Sequence, residues 1–397
     1  MKKNDWYAYL MRDVLERIEV PVNVEPDKEY VQIGIRSHGR GLFYKEPVLG
    51  KALGNKQVFW IQPNCFILNV VFAWEQAITK TTENEIGMIG SHRFPMYRPK
   101  NDLVDIDYLI YYFLTKRGTD ILEAASPGGA GRNRTLGQER FLKSKITLPT
   151  LPEQQKIAAI LSTQDKVIEL KEKRLAQKQQ QKKYLMQQLL TGKKRLPGFG
   201  GEWKIIHLNE ISCRIETKNT VGNINVLTIS AQYGLINQTE FFDKVIASDD
   251  KSNYYLLSKD EFAYNRSYSK GYPYGTIKRL KRYVQGVVSP LYICFAVNKK
   301  LASLDFLEQY FEASIINREI QSIVQEGARN HGMLNVAVDD FFRIKITMPE
   351  IEEQKEIAKI LSTADHEIDL LQKSIEAEKQ KKKLLMQLLL TGKVRVK

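Results

Sequence analysis

The residues best suited to chemistry form a basic, tyrosine-rich run from Tyr264 to Tyr283. This stretch of twenty residues contains five Tyr, six Lys or Arg and no acidic residue. Lysine and arginine contact phosphates, arginine also pairs with guanine and asparagine with adenine, and tyrosine contacts backbone and base edges. We expect nucleic-acid contacts from Tyr264, Asn265, Arg266, Tyr268, Lys270, Tyr272, Tyr274, Lys278, Arg279, Lys281 and Arg282. Its Gly and Pro residues predict a loop between strands. The alternative is that the tyrosines form cross-strand pairs in a sheet.

The first half of the chain carries a sparser set of basic residues near glycines. Gly-rich turns allow backbone amides to approach phosphates, and flanking Arg and Asn add polar contacts. We expect nucleic-acid contacts here from Arg36, His38, Arg40, His92, Arg93, Tyr97, Arg98, Arg132, Asn133 and Arg134, and from Arg329 and Asn330 in the second half. The alternative is that these are plain surface loops that carry charge.

The sequence lacks the motifs of the common catalytic sites. It contains no GxxxxGK[ST] nucleotide loop, no GxGxxG, no HExxH and no GxSxG. The five histidines are scattered, and the three cysteines lack a CxxC spacing, so the sequence predicts neither a metal site nor a disulfide framework. We therefore expect no catalytic residues, no metal and no cofactor in this chain.

Composition and charge predict a globular protein that meets a polyanion. The 397 residues are 43% hydrophobic and carry a net charge of +14. A basic chain of this kind binds nucleic acid or an anionic membrane, unless the charge only serves solubility. The most apolar run, 65–74, is too short to span a bilayer. We expect a cytoplasmic protein.

The strongest pattern is an internal repeat at an offset of 200 residues. The segment 153–163, EQQKIAAILST, recurs as EQKEIAKILST at 353–363, and LLTGK at 189–193 recurs at 389–393. About half of the positions from 141 to 195 are identical in the second copy. The segments 7–99 and 203–297 share little. The chain thus alternates variable and constant parts.

Each constant segment predicts one long helix. The pattern Thr150-x-x-Glu153 is typical of a capping box at the start of a helix, and Gly192 is a natural helix end. The chain has no proline between Pro152 and Gly192. About 40 residues at 1.5 Å each give a helix of roughly 60 Å. The second copy has Glu352 in place of Pro152, so we expect its helix to begin differently.

Heptad-spaced apolar residues predict that the two helices pair with each other, antiparallel, as a coiled coil. The seam is broken by Lys182 and Lys382. Its apolar positions are Ile157, Leu161, Ile168, Leu175, Leu185, Leu189, Ile357, Leu361, Ile368, Ile375, Leu385 and Leu389. The pair would be a spacer between the variable parts; the alternative is a generic dimerising coiled coil. The basic distal halves either follow phosphates, dock an acidic partner or are a solvated face.

These features resemble the specificity subunits of type I restriction–modification systems. The resemblance rests on the duplicated EQxxIAxIL-like segment, on its LLTGK ending, and on Gly201-Glu202-Trp203 at the start of the second variable part. It covers essentially the whole chain.

The resemblance implies a mixed α/β fold with an internal pseudo-two-fold repeat. Residues 1–149 and 196–349 would be target recognition domains, each of which reads half of a split double-stranded DNA target. Residues 150–195 and 350–397 would be spacer helices that set the unread gap. Two modification (methyltransferase) subunits and restriction subunits would be partners, and S-adenosylmethionine, ATP and Mg would bind to them. The other readings are an enzyme with a hidden nuclease or methyltransferase site, and a coiled-coil scaffold without DNA.

Overall fold

The computed structural model describes residues 6–128, 134–231, 233–241, 251–268, 271–325 and 333–396. It divides into two compact units. The first comprises Met1–Glu172 together with Ser374–Lys397, and the second comprises Lys173–Lys373. Each unit therefore holds one variable part, the first half of one long helix and the second half of the other.

The first unit is strand-rich up to its long helix. Its strands are β1 (Tyr7–Leu10), β2 (Leu15–Ile18), β3 (Glu29–Tyr30), β4 (Ile33–Ile35), β5 (Leu42–Tyr44), β6 (Val48–Leu49), β7 (Val58–Trp60), β8 (Phe66–Leu68), β9 (Ile78–Lys80), β10 (Ile89–Ser91), β11 (Met96–Pro99) and β12 (Lys145–Leu148). Its helices are α1 (Met11–Val14), α2 (Ile106–Phe113), α3 (Lys116–Ala124), α4 (Gln138–Leu142) and the beginning of α5 (Leu151–Leu189).

A four-stranded antiparallel sheet of order β2-β11-β8-β9 organises this unit. Helix α2 packs on it, since the rings of Phe66 and Phe113 stack with their centroids 5.6 Å apart. Asp105 caps α2 by accepting a hydrogen bond from the Tyr108 N–H at 2.8 Å. The same sheet therefore carries the loops between β8 and β9 and between β10 and β11 on a fixed base.

The second unit has the same plan. Its strands are β13 (Lys204–His207), β14 (Ser212–Ile215), β15 (Leu227–Ser230), β16 (Gly234–Asn237), β17 (Tyr255–Ser258), β18 (Phe262–Asn265), β19 (Thr276–Arg279), β20 (Gln285–Val288), β21 (Ile293–Val297) and β22 (Lys345–Met348). Its helices are α6 (Leu208–Ile211), α7 (Gln238–Phe241), α8 (Leu304–Glu312), α9 (Asn317–Ile323), α10 (Val338–Phe342) and the beginning of α11 (Ile351–Leu389). Its main sheet has the order β14-β21-β18-β19, which matches β2-β11-β8-β9 element by element.

The long helices α5 and α11 have 39 residues each, as the sequence predicted. Both begin at equivalent positions, Leu151 and Ile351, so the expectation that Glu352 changes the start of the second helix is wrong. Glutamate is as acceptable as proline in the first helical turn, where it also complements the helix dipole.

The helix halves pair antiparallel inside each unit. In the first unit Glu172 contacts Lys379, and Asp165 contacts Lys382. In the second unit Lys178 contacts Glu367, and Lys182 contacts Asp365. The polar break in the seam is thereby explained, because Lys182 and Lys382 each find a carboxylate there. The twelve apolar seam residues are all buried or half-buried.

The expected capping-box glutamates have a different partner. Glu153 is 6% exposed and accepts two hydrogen bonds at 2.7 Å from Arg395. Glu353 is 2% exposed and is held in the same way by Arg195. A bidentate guanidinium satisfies both carboxylate oxygens, and a backbone amide would satisfy only one of them. The capping-box prediction is corrected accordingly.

Candidate nucleic-acid interface

Loops at one end of the first unit's sheet surround a polar concavity of about 620 Å³. They are the β8–β9 connection, the β10–β11 turn, the segment before β7, and single residues just before β4 and just after β5. The lining residues are Gln32, Lys45, Asn55, Lys56, Gln57, Asn69, Val71, Phe72, Ser91, His92, Arg93 and Phe94. We call this the amide–cation concavity, because carboxamides and cations line it and no acidic residue is among its described lining residues.

Backbone hydrogen bonds hold the two main loops of this concavity. The Val70 N–H donates to the Arg93 carbonyl at 3.0 Å, which ties the β8–β9 connection to the β10–β11 turn. The Phe94 N–H closes that turn on the Ser91 carbonyl at 2.9 Å. Asn69 accepts a hydrogen bond from the Val71 N–H at 3.1 Å, which leaves its amide NH₂ as a donor. The side chains of the concavity therefore stand on a preorganised backbone.

The cations of the concavity are available to a ligand. Lys45, Lys56 and Arg93 are exposed, and the ion pairs among the described residues do not include them. Carboxamides bind adenine edges, arginine binds guanine edges, and lysine binds phosphates. This combination without acids can bind the edge and backbone of a nucleic acid.

Sequence reasoning found only two residues of this concavity, His92 and Arg93. It missed Gln32, Lys45, Asn55, Lys56, Gln57 and Asn69. These positions come from four separate segments that only the fold brings together. The one local signal was the polar triplet 55–57 that follows Gly54.

The other predicted residues of the first unit are dispersed. Arg36 donates to the Leu42 carbonyl and lies over the Phe43 ring at 5.3 Å, so it supports the β4–β5 hairpin. His38, Arg40 and Arg98 are exposed. The guanidinium of Arg134 lies over the Trp74 ring at 5.4 Å. Arg132 and Asn133 lie outside the described residues.

Two predicted tyrosines are core residues instead. Tyr97 and Tyr264 are 0% exposed. Tyr264 stacks on Phe341 with the centroids 4.9 Å apart, and its hydroxyl donates to the Tyr274 carbonyl at 2.8 Å. Tyr97 packs against Phe141 at 5.8 Å. Neither ring can reach a nucleic acid without unfolding the sheet, so the expectation of contact is wrong for both.

The lysines and arginines of strand β19 are paired with acids of helix α8. Arg279 is 8% exposed and contacts Asp305 at 2.7 Å and Glu308 at 3.2 Å. Lys278 is 12% exposed and forms an ion pair with Glu312. These two cations are neutralised and covered within their own unit, so we withdraw them from the predicted interface. Lys281 also contacts Glu308, at 3.2 Å, but remains 58% exposed.

Tyrosine 272 belongs to the same cluster. Its hydroxyl donates to Glu312 at 3.2 Å, and burial, reinforced by the Glu312 charge, raises its pKa to about 12. Tyr274 is half-buried and packs against the core of the unit. Tyr272 therefore ties the loop to helix α8, a contact that differs from the cross-strand pairs of the alternative interpretation.

Arg266 links separate loops of the second unit through hydrogen bonds. Its guanidinium donates to the Leu291 carbonyl at 2.9 and 3.2 Å and to the Val336 carbonyl at 2.9 Å. It thus ties the β18–β19 connection to the β20–β21 turn, the pair of loops that correspond to the two main loops of the amide–cation concavity. Asn265 accepts a hydrogen bond from the Ser267 N–H at 3.1 Å.

Fewer residues of the basic run remain open to a ligand. Tyr268 is 64% exposed. Arg282 contacts Glu240 at 3.1 Å and is 60% exposed. Lys270, Arg329 and Asn330 lie outside the described residues.

Two kinds of feature are absent from the described part of the chain. Its helices include none with the length and apolar character needed to cross a bilayer. Within that same part, no three His, Cys, Asp or Glu side chains are grouped as metal ligands would be.

Comparison with known proteins identifies relatives that match most of the chain. The model of the type I restriction modification DNA specificity domain matches residues 25–180 and 201–379. The putative type I restriction enzyme MjaX specificity subunit of Methanocaldococcus jannaschii is 25% identical over 330 residues, which cover 76% of this chain and 71% of the relative. The MjaVIII specificity subunit of the same organism is 24% identical over 335 residues, which cover 75% and 72% of the two chains.

Solved structures share the fold. The HsdS subunit from Thermoanaerobacter tengcongensis aligns with a TM-score of 0.57 and 16% identity over 99% of this chain and 98% of its own. The type I S subunit from M. genitalium aligns with a TM-score of 0.56 and 13% identity over 98% and 97%.

Proposed function

This chain belongs to the family of type I restriction–modification DNA specificity proteins, and from that premise we propose that its two modules read two different halves of one DNA target. It is a sequence-specific DNA-recognition component and not the catalyst of a restriction–modification complex. We propose which residues read each half, what sets the unread gap and where the partners bind.

The first half-site is read by the amide–cation concavity. The observation that supports this most is the combination of carboxamides with exposed cations that form no ion pair among the described residues, around a fixed pair of loops and with no acid among the described lining residues. Asn69 and Gln32 are suited to adenine and Arg93 to guanine, while Lys45 and Lys56 are suited to flanking phosphates. His92 is at the rim of the same surface.

The second half-site is read by the corresponding loops of the second unit. Arg266 fixes these loops through carbonyls and does not read bases. In these loops we assign contact to the exposed Tyr268. Lys281 and Arg282 lie on the β19–β20 connection, at the other end of β19, and their predictions are kept apart from this surface. The predictions for Lys270, Arg329 and Asn330 stand beside that for Tyr268, as do those for Arg132 and Asn133 in the first module.

The helices α5 and α11 act as the spacer. Each unit contains one antiparallel helix pair, and the seam residues that bury its apolar stripe are the heptad positions. The domains of the proposal are recognition domains at 1–149 and 196–349 and spacer helices at 150–195 and 350–397. The length of the helices would set the gap between half-sites.

The repeat offers the same surface to a partner twice. A groove beside the end of each long helix is lined by equivalent residues, which are Lys183, Met186 and Thr191 in one unit and Lys383, Met386 and Thr391 in the other. We propose that two modification subunits bind to the constant segments, that restriction subunits join them, and that S-adenosylmethionine, ATP and Mg bind to these partners.

Exchange of one module is the test. Replacing residues 203–340 by the matching segment of a relative should change one half of the methylated motif and leave the other half and the gap unaltered. Methylated adenines are mapped genome-wide with the parent gene, with the chimera and without the gene. A change in both halves would contradict the modular reading.

Point variants then test the first module. In the assembled complex, Asn69→Ala and Arg93→Ala should relax the first half-site, each at its own position, and leave the second half-site unchanged. Lys143→Ala is the matched control, because Lys143 is an exposed cation of the same module outside the concavity. Equal effects of Arg93→Ala and Lys143→Ala would reject the concavity as the reading surface.

A further inference from the structure

Two sets of charged contacts join the long helices, and the outer set is the same in both units. It consists of Glu153–Arg395 and Asp165–Lys382 in the first unit and of Glu353–Arg195 and Asp365–Lys182 in the second. Each partner recurs at the offset of 200 residues. A helix α5 paired with a second copy of α5 in the same register would therefore keep every outer contact. The outer set fixes the register without choosing the partner.

The central set differs between the helices. In the first unit Glu378 accepts hydrogen bonds from Lys171 at 2.7 Å and from Gln164 at 2.8 Å. Glu172 contacts Lys379 at 2.7 Å. In the second unit Lys178 contacts Glu367 at 2.6 Å. In each ion pair α5 and α11 contribute opposite charges.

The central contacts are partly buried. The side chains of Lys171 and Glu378 are 29% and 20% exposed, so solvent screens this pair less than a surface pair. The hydrogen bond from Lys171 holds the pKa of Glu378 below its ordinary value. The hydrogen bond from Lys178 does the same for Glu367.

Pairing of like helices would replace two of these ion pairs by contacts between like charges. In a pair of α5 helices, Lys178 takes the place of Glu378, so that Lys171 and Gln164 both face a lysine. In a pair of α11 helices, Glu378 takes the place of Lys178 and faces Glu367. Each clash occurs twice, because an antiparallel pair of identical helices has two-fold symmetry.

We infer that the central charges make the pairing selective: α5 binds a helix of the α11 kind, from its own chain or from another copy of the second half, and rejects a second α5. This is an interaction property beyond DNA reading. It disfavours a dimer of like helices on physical grounds, because like charges would then face each other.

Reassembly of a cut chain tests the inference. A protease recognition sequence is inserted between Gly198 and Phe199 of the full chain, where, apart from the two neighbouring residues, no described atom lies within 4 Å of a Cβ at position 198. The folded protein is cut, unfolded in denaturant and refolded, and native mass spectrometry counts the pairs. We expect at least a tenfold excess of mixed pairs over either same-half pair. A statistical mixture, with same-half pairs as frequent as chance gives, would overturn the inference.

A charge cycle in the uncut chain gives an independent answer. Glu367→Lys with Glu378→Lys should lower the melting temperature by about 4 °C or more. Adding Lys171→Glu and Lys178→Glu should recover at least half of the loss. A quadruple variant no more stable than the double variant would refute a paired role for these charges.

The outer set supplies the matched control for the cut chain. Swapping both outer aspartate–lysine pairs, as Asp165→Lys and Asp365→Lys with Lys182→Asp and Lys382→Asp, should leave the preference for mixed pairs intact, because each half then still offers one lysine and one aspartate to either partner. Loss of the preference in this variant would contradict the division into outer and central sets.

Discussion

Replacing Arg279 by alanine should reduce stability, and replacing Arg93 by alanine should reduce DNA binding, although both arginines were predicted from sequence to contact DNA. Arg279 is covered by its own unit, whereas Arg93 stands open in the amide–cation concavity. We expect Arg279→Ala to reduce the free energy of unfolding and leave DNA affinity unchanged. We expect Arg93→Ala to weaken DNA binding and leave stability unchanged.

The size of each effect follows from the contacts. Arg279 is 8% exposed, and its loss removes hydrogen bonds or ion pairs to Asp305, which is 59% exposed, and Glu308, which is 27% exposed. A charged hydrogen bond is worth about 1.5–3 kcal/mol when buried. Water can reach both carboxylates, so the net cost is about 2–3 kcal/mol, which lowers the melting temperature by about 4–12 °C. For Arg93, loss of one base contact costs about 1–3 kcal/mol, or about 5–150-fold in Kd.

Two assays on the same samples separate the effects. Calorimetry follows the melting temperature, and titration of cognate and half-site-mutated duplexes at several salt concentrations follows affinity, specificity and salt dependence in the assembled complex. Unchanged stability together with weaker DNA binding in Arg279→Ala would refute the assignment of this arginine to the α8 cluster. Unchanged binding in Arg93→Ala would refute the concavity.

Three further predictions follow from the helices. A heptad inserted before Leu175, with a matching one before Ile375, lengthens the helix pair by roughly 10 Å, or about three base pairs. This insertion should widen the unread gap in the methylated motif without altering either half-site. An unchanged gap in an active complex would refute the spacer role. The lowered pKa of Glu378 means that its pairing stabilises the fold above the ordinary glutamate pKa and is lost as pH falls through the lower folded value; thermal melts from pH 7 to pH 3 should show this acid step in the parent and a smaller one in Glu378→Gln. Gly392→Ala should cost about 1–2 kcal/mol, because φ is +71° and the new Cβ would lie 3.2 Å from the Trp6 ring; Gly200→Ala, in open space, is the control and should change stability by less than about 0.5 kcal/mol.

The periodic features of this protein are readable from sequence because they depend on local spacing. The offset of 200 residues, the two helices of 39 residues and their apolar seam all follow from patterns inside one segment. Heptad spacing places residues on one helix face in any fold, so no tertiary information is needed.

The polar break in the seam is understood only from the sequence and the tertiary structure together. The sequence shows Lys182 and Lys382 at equivalent breaks. That each lysine faces an aspartate of the opposite helix depends on the antiparallel register. Spacing identifies the face of a helix, whereas the partner on that face is set by packing.

The surface that we propose to read DNA depends on the tertiary structure. The run from 264 to 283 has no acid within it, but α8 brings Asp305, Glu308 and Glu312 against it from more than twenty residues away. Conversely, Gln32 and Asn69 carry no local signal and meet only because five segments converge beside one sheet. Charge neutralisation and the assembly of a binding surface are contacts between distant segments, so composition and local spacing alone do not determine them.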